Sequence, residues 1–169
     1  MEKKKILEKV RSQLASANNS EVIEALNTIN EMALLEFLPD MAALYSKHSD
    51  DEIGGKLLIM FNDLKYKKAV PDICRIIQNE THPVTLKMLV SSVWQSGFDY
   101  SEHLEIFTPF LMSDDFGLSF EAFTVIENNV DFLEPKAMNR YKQHLSGFRS
   151  RMPENIQILV DGLLTRLKE

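Results

Sequence analysis

The sequence predicts an all-α protein made of repeated helix pairs, and three observations predict it. Apolar residues recur at helical spacing through most of the chain. The pattern repeats every 32 residues. Alternating β-branched runs, which would compete as strands, are absent. The prolines show the period first: Pro39, Pro71 and Pro135 lie 32 and 64 residues apart, with His103 at the missing step. Apolar columns share that offset: Leu26, Leu58, Val90 and Ala122; Ile29, Phe61, Val93 and Val125; Leu34, Tyr66, Phe98 and Val130; Ala42, Cys74, Ile106 and Met138. Ser49, Thr81 and Ser113 make a hydroxyl column suited to helix N-caps. Such self-similarity marks a stacked array, because one helix pair cannot bury its apolar face alone.

Each element follows in order. Residues 3–16 form a helix that closes the N-terminal end. Residues 20–33 form the next, with Val22, Leu26, Ile29 and Ala33 on one face. Pro39 and Pro71 sit near the starts of helices over 37–48 and 69–79, where a missing N–H costs nothing. Between them Ser49-Asp50-Asp51-Glu52 reads as a capping box, starting a helix over 50–64 at about residue 50. Leu86, Leu89, Val90 and Val93 give one face to 83–96. A helix over 102–112 carries His103 in place of the proline. Leu118, Ala122, Val125 and Ile126 define 115–129, and Pro135 opens 135–146. After the connection 147–153, residues 154–168 put Ile156, Leu159, Val160, Leu163, Leu164 and Leu167 on one stripe. The organisation is one domain: a cap at 1–17, four units at 18–49, 50–81, 82–113 and 114–145, and a cap at 146–169.

Composition bounds the function. Hydrophobic residues at 44% and charged residues at 26% suit a folded globular chain, with a mean hydropathy of −0.18. No apolar run reaches the roughly 20 residues of a membrane helix. The N-terminal stretch builds no apolar core of a secretion signal. A lone cysteine, Cys74, forms no internal disulfide, which points to a reducing, cytoplasmic setting. A net charge of −6 argues against a general nucleic-acid binder, since such binders neutralise phosphates with Lys and Arg. The charge is segregated. No Lys or Arg lies between Lys87 and Lys136, a stretch holding Asp99, Glu102, Glu105, Asp114, Asp115, Glu121, Glu127, Asp131 and Glu134. Both ends of the chain are basic.

One segment carries a family resemblance. Leu64-Lys65-Tyr66-Lys67-Lys68-Ala69-Val70-Pro71-Asp72-Ile73-Cys74-Arg75-Ile76-Ile77 resembles the turn and second helix of a HEAT repeat, and Leu35-Glu36-Phe37-Leu38-Pro39-Asp40-Met41 is the same junction one unit earlier. The resemblance covers about residues 18–145. It departs at His103, and at Lys136, which stands where Asp40 and Asp72 do. It implies a right-handed α-α superhelix of about four antiparallel helix pairs, with second helices on the concave side and first helices on the convex side. It also implies a non-catalytic, protein-binding scaffold or adaptor of the armadillo-like kind. A DNA-binding or DNA-glycosylase-like solenoid is the alternative, which the acidic charge opposes.

No catalytic, cofactor or metal set is legible. His48, His82, His103 and His144 have no second His or Cys at ligand spacing, and the His-Glu pairs of some HEAT-like iron enzymes are missing. Cys74 sits in an apolar column and reads as a small buried hydrophobe. Gly54-Gly55, inside a helix, reads as close packing against a neighbour. Trp94, on a first helix, is core or convex surface, with core preferred.

The candidate partner-binding residues are the outward rows of the second helices. These are Asp40, Asp72, Leu104 and Lys136 in one row, and Arg75, Phe107 and Asn139, with Ala43, in the next. Glu102 and Glu105 join them from the acidic stretch. Leu104 and Phe107 have two readings: exposed apolar anchors, or a one-residue slip in the third unit that puts Ile106 over Ile73 and Phe110 over Ile77. The acidic stretch is either a solvated face or a patch for a basic protein or peptide.

Overall fold

The computed structural model describes residues 2–167; Met1, Lys168 and Glu169, which fall in the two predicted caps, lie outside the described residues. The described chain is all-helical, with no strand. Its α-helices are α1 (Glu2–Leu14), α2 (Asn19–Met32), α3 (Leu38–His48), α4 (Glu52–Asn62), α5 (Val70–Asn79), α6 (Pro83–Gln95), α7 (Phe116–Asn129), α8 (Pro135–Phe148) and α9 (Glu154–Arg166). Nine of the ten predicted helices are therefore present as α-helix. The tenth, over 102–112, is not.

That segment is two 3-10 turns, Ser101–Ile106 and Thr108–Met112, joined at Phe107. Pro109 explains it. Inside an α-helix its ring would meet the carbonyl four residues back, and its nitrogen has no hydrogen to donate. The 3-10 form has three residues per turn, so residues three apart eclipse one another. Ser101, Leu104 and Phe107 thus fall on one buried face, and Glu102 and Glu105 on the exposed one. Leu104 is 2% exposed and Phe107 is fully buried, against the T-shaped Tyr100 ring at 6.4 Å. Both predicted anchors are core residues, which corrects their place in the candidate face. The predicted slip had the wrong size as well. Val70, Ile73 and Ile77 in α5 are matched by Leu104, Phe107 and Leu111, an offset of 34, while Ile106 and Phe110 are only partly buried.

The helices sort into two sets by their contacts. In the first set, α2 touches α4, α4 touches α6, α6 touches α7 and α7 touches α9. The second set comprises α1, α3, α5, the 101–112 segment and α8; α3 touches α5, and α5 touches the segment. Between sets, α1 packs on α2, α3 on α4 and α6, α5 on α6, and the segment on α7. The shared core includes Leu26, Leu57, Phe61, Leu89, Val93, Ala122 and Val125 from the first set, and Met41, Ile73, Ile77 and Leu145 from the second. Burial of each large apolar side chain contributes roughly 1.5–3 kcal/mol. Among the column residues, Tyr66 is exposed rather than buried.

The hydroxyl column does not cap. Asp51, not Ser49, is the N-cap of α4; its carboxylate accepts from Ile53 N and Gly54 N, and the helix begins two residues later than the capping box implied. Asp115 does the same for α7 through Gly117 N and Leu118 N. No side chain caps α6; Glu80 Oε1 accepts from Thr81 N and His82 N instead. Asp51 also accepts from or shares a proton with His48 Nδ1 at 2.7 Å, and these bonds hold its carboxyl below the usual range. Gly54 fits the packing reading: a Cβ there would collide with the His48 carbonyl, whereas a Cβ on Gly55 would meet nothing.

Candidate partner-binding face

Seven of the nine candidate residues are on the surface of the second set: Asp40, Asp72, Arg75, Glu102, Glu105, Lys136 and Asn139. Pro39 and Pro71 sit in the first turns of α3 and α5, which sets Asp40 and Asp72 in equivalent places one repeat apart. Three clefts run along these helices. Between α1 and α3, Arg11, Asp40, Ala43 and Lys47 line about 360 Å³. Between α3 and α5, Pro39, Ala43, Asp72, Arg75 and Asn79 line about 300 Å³. Ala43 lines both. Beyond α5, Gln78, Glu102, His103, Glu105, Arg140 and Tyr141 line a third cleft of about 520 Å³. Lys136 and Asn139 line none of the three and stand exposed on α8.

Charge varies along this face. The first cleft sets Arg11 and Lys47 around Asp40. In the second, Arg75 Nη1 lies 3.0 Å from Asp72 Oδ1, an exposed pair that neutralises itself. In the third, Glu102 and Glu105 face solvent without an ion pair among the described residues. Tyr141 floors that cleft. Burial pushes its phenol well above the usual value, Glu105 adds to the shift, and the Thr108 hydroxyl at 3.1 Å opposes it.

The nine carboxylates of the acidic stretch do not form one patch. Asp99 accepts from Ser101 N at 2.8 Å in the turn before the 3-10 segment. Asp115 pairs with Lys87 at 3.3 Å, Glu121 accepts from Trp94 Nε1 at 2.6 Å, and Asp131 pairs with Arg166 at 3.1 Å. Glu102 and Glu105 lie on the second set, while Asp115, Glu121 and Glu127 lie at the start of α7 or along it.

Burial pushes the Cys74 thiol up to about 12, so it stays protonated at neutral pH. Among the described residues no three His, Cys, Asp or Glu side chains converge as a metal site. Among the described residues no helix is long and apolar enough to cross a membrane.

Sequence reasoning missed the apolar part of the surface. Trp94 is 37% exposed on α6, not core. Val84 at the other end of α6, and Phe116 and Phe120 on α7, are exposed too, Phe116 by 52%. Every large exposed hydrophobic among the described residues is on a first-set helix or in a turn. The second set carries none. The signal was in the sequence: Phe116 and Phe120 are one turn apart and off the stripe of Leu118, Ala122 and Val125. Comparison with protein-family models, with curated proteins and with solved structures finds no match to this chain.

Proposed function

We propose that the chain is a non-catalytic protein-interaction scaffold, a HEAT-like right-handed superhelix of about four helix pairs with a closing helix at each end. Its second helices form the concave face and bind a protein or peptide laid across them. The observation that carries this reading is the run of clefts along α1, α3, α5, the 101–112 segment and α8, two of them sharing Ala43 in their walls. Such a surface offers polar groups in sequence to one extended ligand. The Glu102 and Glu105 carboxylates favour a partner that brings basic groups to the third cleft. The face has no continuous basic track of the kind a nucleic-acid backbone needs, with Asp40, Asp72, Glu102 and Glu105 interleaved among Arg75, Lys136 and Arg140. A cytoplasmic setting belongs to the same proposal.

The test places a photo-crosslinking residue at Asn79 or Asn139, with the exposed Asn27 on α2 as the control. Captured partners are then compared from the native cell. One partner cross-linked from both Asn79 and Asn139, and not from Asn27, supports the reading. Capture only from Asn27 removes the second-set face from the function.

A further inference from the structure

We propose that the paired helices α6 and α7 form a second docking surface, separate from the clefts of the second set. Its occupant is a basic amphipathic helix of a partner protein. α6 and α7 run side by side in the same direction, because Lys87 meets Asp115 at their starts and Trp94 meets Glu121 further along. Their outer faces carry Val84, Trp94, Phe116 and Phe120, all exposed. The Phe116 and Phe120 rings lie 5.9 Å apart, one helical turn from each other. Between α4 and α6 lies a cleft of about 430 Å³ whose walls include Val84, Ser91, Asp115 and Glu121. Aromatic side chains anchor interfaces because they bury large area at low entropic cost, and two parallel helices make a groove that accepts a third.

Charge selects the occupant. No Lys or Arg lies between Lys87 and Lys136 in the sequence. Lys87, which lines this cleft, is already paired with Asp115. The apolar side chains are therefore bordered by Asp114, Glu121 and Glu127, with no basic residue on α7. A partner helix with aliphatic anchors on one face and Lys or Arg along its borders matches both features. An anionic lipid surface does not, since it would meet the same carboxylates. A second copy of this chain offers a basic helix in α1, but the apolar side of that helix is already packed on α2.

The test uses the full chain, isotope-labelled, and a synthetic 18-residue helical peptide with Leu on one face and Lys on the other. A twin with Glu in place of Lys is the charge control. Amide shifts confined to α6 and α7, and absent with the Glu twin, are expected. Phe116→Ser with Phe120→Ser should weaken binding about tenfold or more. Asp114→Lys with Glu127→Lys, which leaves the aromatic rings in place, should weaken it and flatten its salt dependence. Thermal melts of both variants check that they fold. The proposal fails if the shifts map to the third cleft around Glu102 and Glu105, if the Glu twin binds equally, or if both double variants bind as the wild type does. It fails also if the chain binds anionic vesicles through this face, or if it is a dimer that the phenylalanine variant dissolves. None of these outcomes depends on crosslinks from Asn79 or Asn139, so this proposal and the scaffold reading stand or fall separately.

Discussion

The first-set and second-set helices share one core and differ in almost everything else. Buried positions in α2, α4, α6 and α7 keep the 32-residue step: Ala25, Leu57 and Leu89 are equivalent, and so are Ile29, Phe61, Val93 and Val125. The second set keeps that step only from α3 to α5, where Leu38, Met41 and Tyr45 match Val70, Ile73 and Ile77. It then lengthens to 34, through Leu104, Phe107 and Leu111 to Met138, Tyr141 and Leu145. Their outer faces differ in kind. The first set exposes Ile59, Val84, Trp94, Phe116 and Phe120, while the second exposes charged and polar groups over three clefts. A repeat can therefore be strict on one side and elastic on the other, provided the inward side chains still meet.

The largest effect that would break this comparison is chemical. Cys74 belongs to the inward side of α5. With its thiol pushed up to about 12 by burial, it should react with a thiol reagent only when the chain opens. Labelling should be slower than in denaturant by roughly 10³-fold or more. Rapid stoichiometric labelling of the native protein would put α5 in the wrong orientation.

Next comes the slipped register itself. Phe107→Ala should cost ~3–5 kcal/mol and Leu104→Ala ~2–5 kcal/mol, because both leave cavities in a closed core. Asp40→Ala, on the exposed side of α3, should stay within about ±0.5 kcal/mol. Urea melts of the three variants decide the matter. If Phe107→Ala were as mild as Asp40→Ala, the 34-residue offset would be wrong and the exposed-anchor reading would return.

Why the first set was legible and the second only partly so has a physical origin. Patterns such as Leu86, Leu89, Val90 and Val93 keep α-helical spacing, and α-helical spacing is what periodicity detects. The third unit changes its period. Pro109 forces 3-10 turns, and an eclipsed three-residue repeat turns Leu104 and Phe107 inward although a 3.6-residue repeat turns them out. Pro109 itself was the available signal. The candidate face was half legible: Asp40, Asp72, Arg75, Glu102, Glu105, Lys136 and Asn139 were placed on the surface by the repeat alone. The clefts were not, because they depend on how far neighbouring helices stand apart, which no spacing encodes. Nor was the Trp94 exposure, which rests on a bond to Glu121 in another helix.

A smaller effect separates the two adjacent glycines of α4. Gly54→Ala should destabilise by ~1–3 kcal/mol, since its Cβ would drive into the His48 carbonyl and part α3 from α4. Gly55→Ala meets nothing and should stabilise by ~0.5–1 kcal/mol through better helix propensity. Thermal melts giving the two substitutions the same sign would remove the close α3–α4 approach from the account.

The smallest effect asks whether the strict period of the first set extends to how its helices end. α2 stops at Ala33, which has φ 52 and ψ 48, a left-handed conformation that an L side chain adopts at a cost. Its N–H reaches the carbonyls of Asn30 and Ile29, so the conformation closes the helix end. Two repeat steps later, just past the end of α6, Gly97 has φ +69 and donates to the Trp94 carbonyl. The same stop signal thus recurs 64 residues on, once with the residue that suits it and once without. Ala33→Gly should therefore stabilise by ~0.5–1 kcal/mol, the relief of the Cβ offset in part by the greater freedom of glycine in the unfolded chain. Gly97→Ala should cost a similar amount, and the cost would be conformational alone, because a Cβ there would touch nothing. Chemical denaturation of both variants reads the pair. Opposite signs mark one stop signal used twice. A loss from both would mean that Ala33 is held by its methyl contacts, and that the ends of α2 and α6 are built on different grounds despite their spacing.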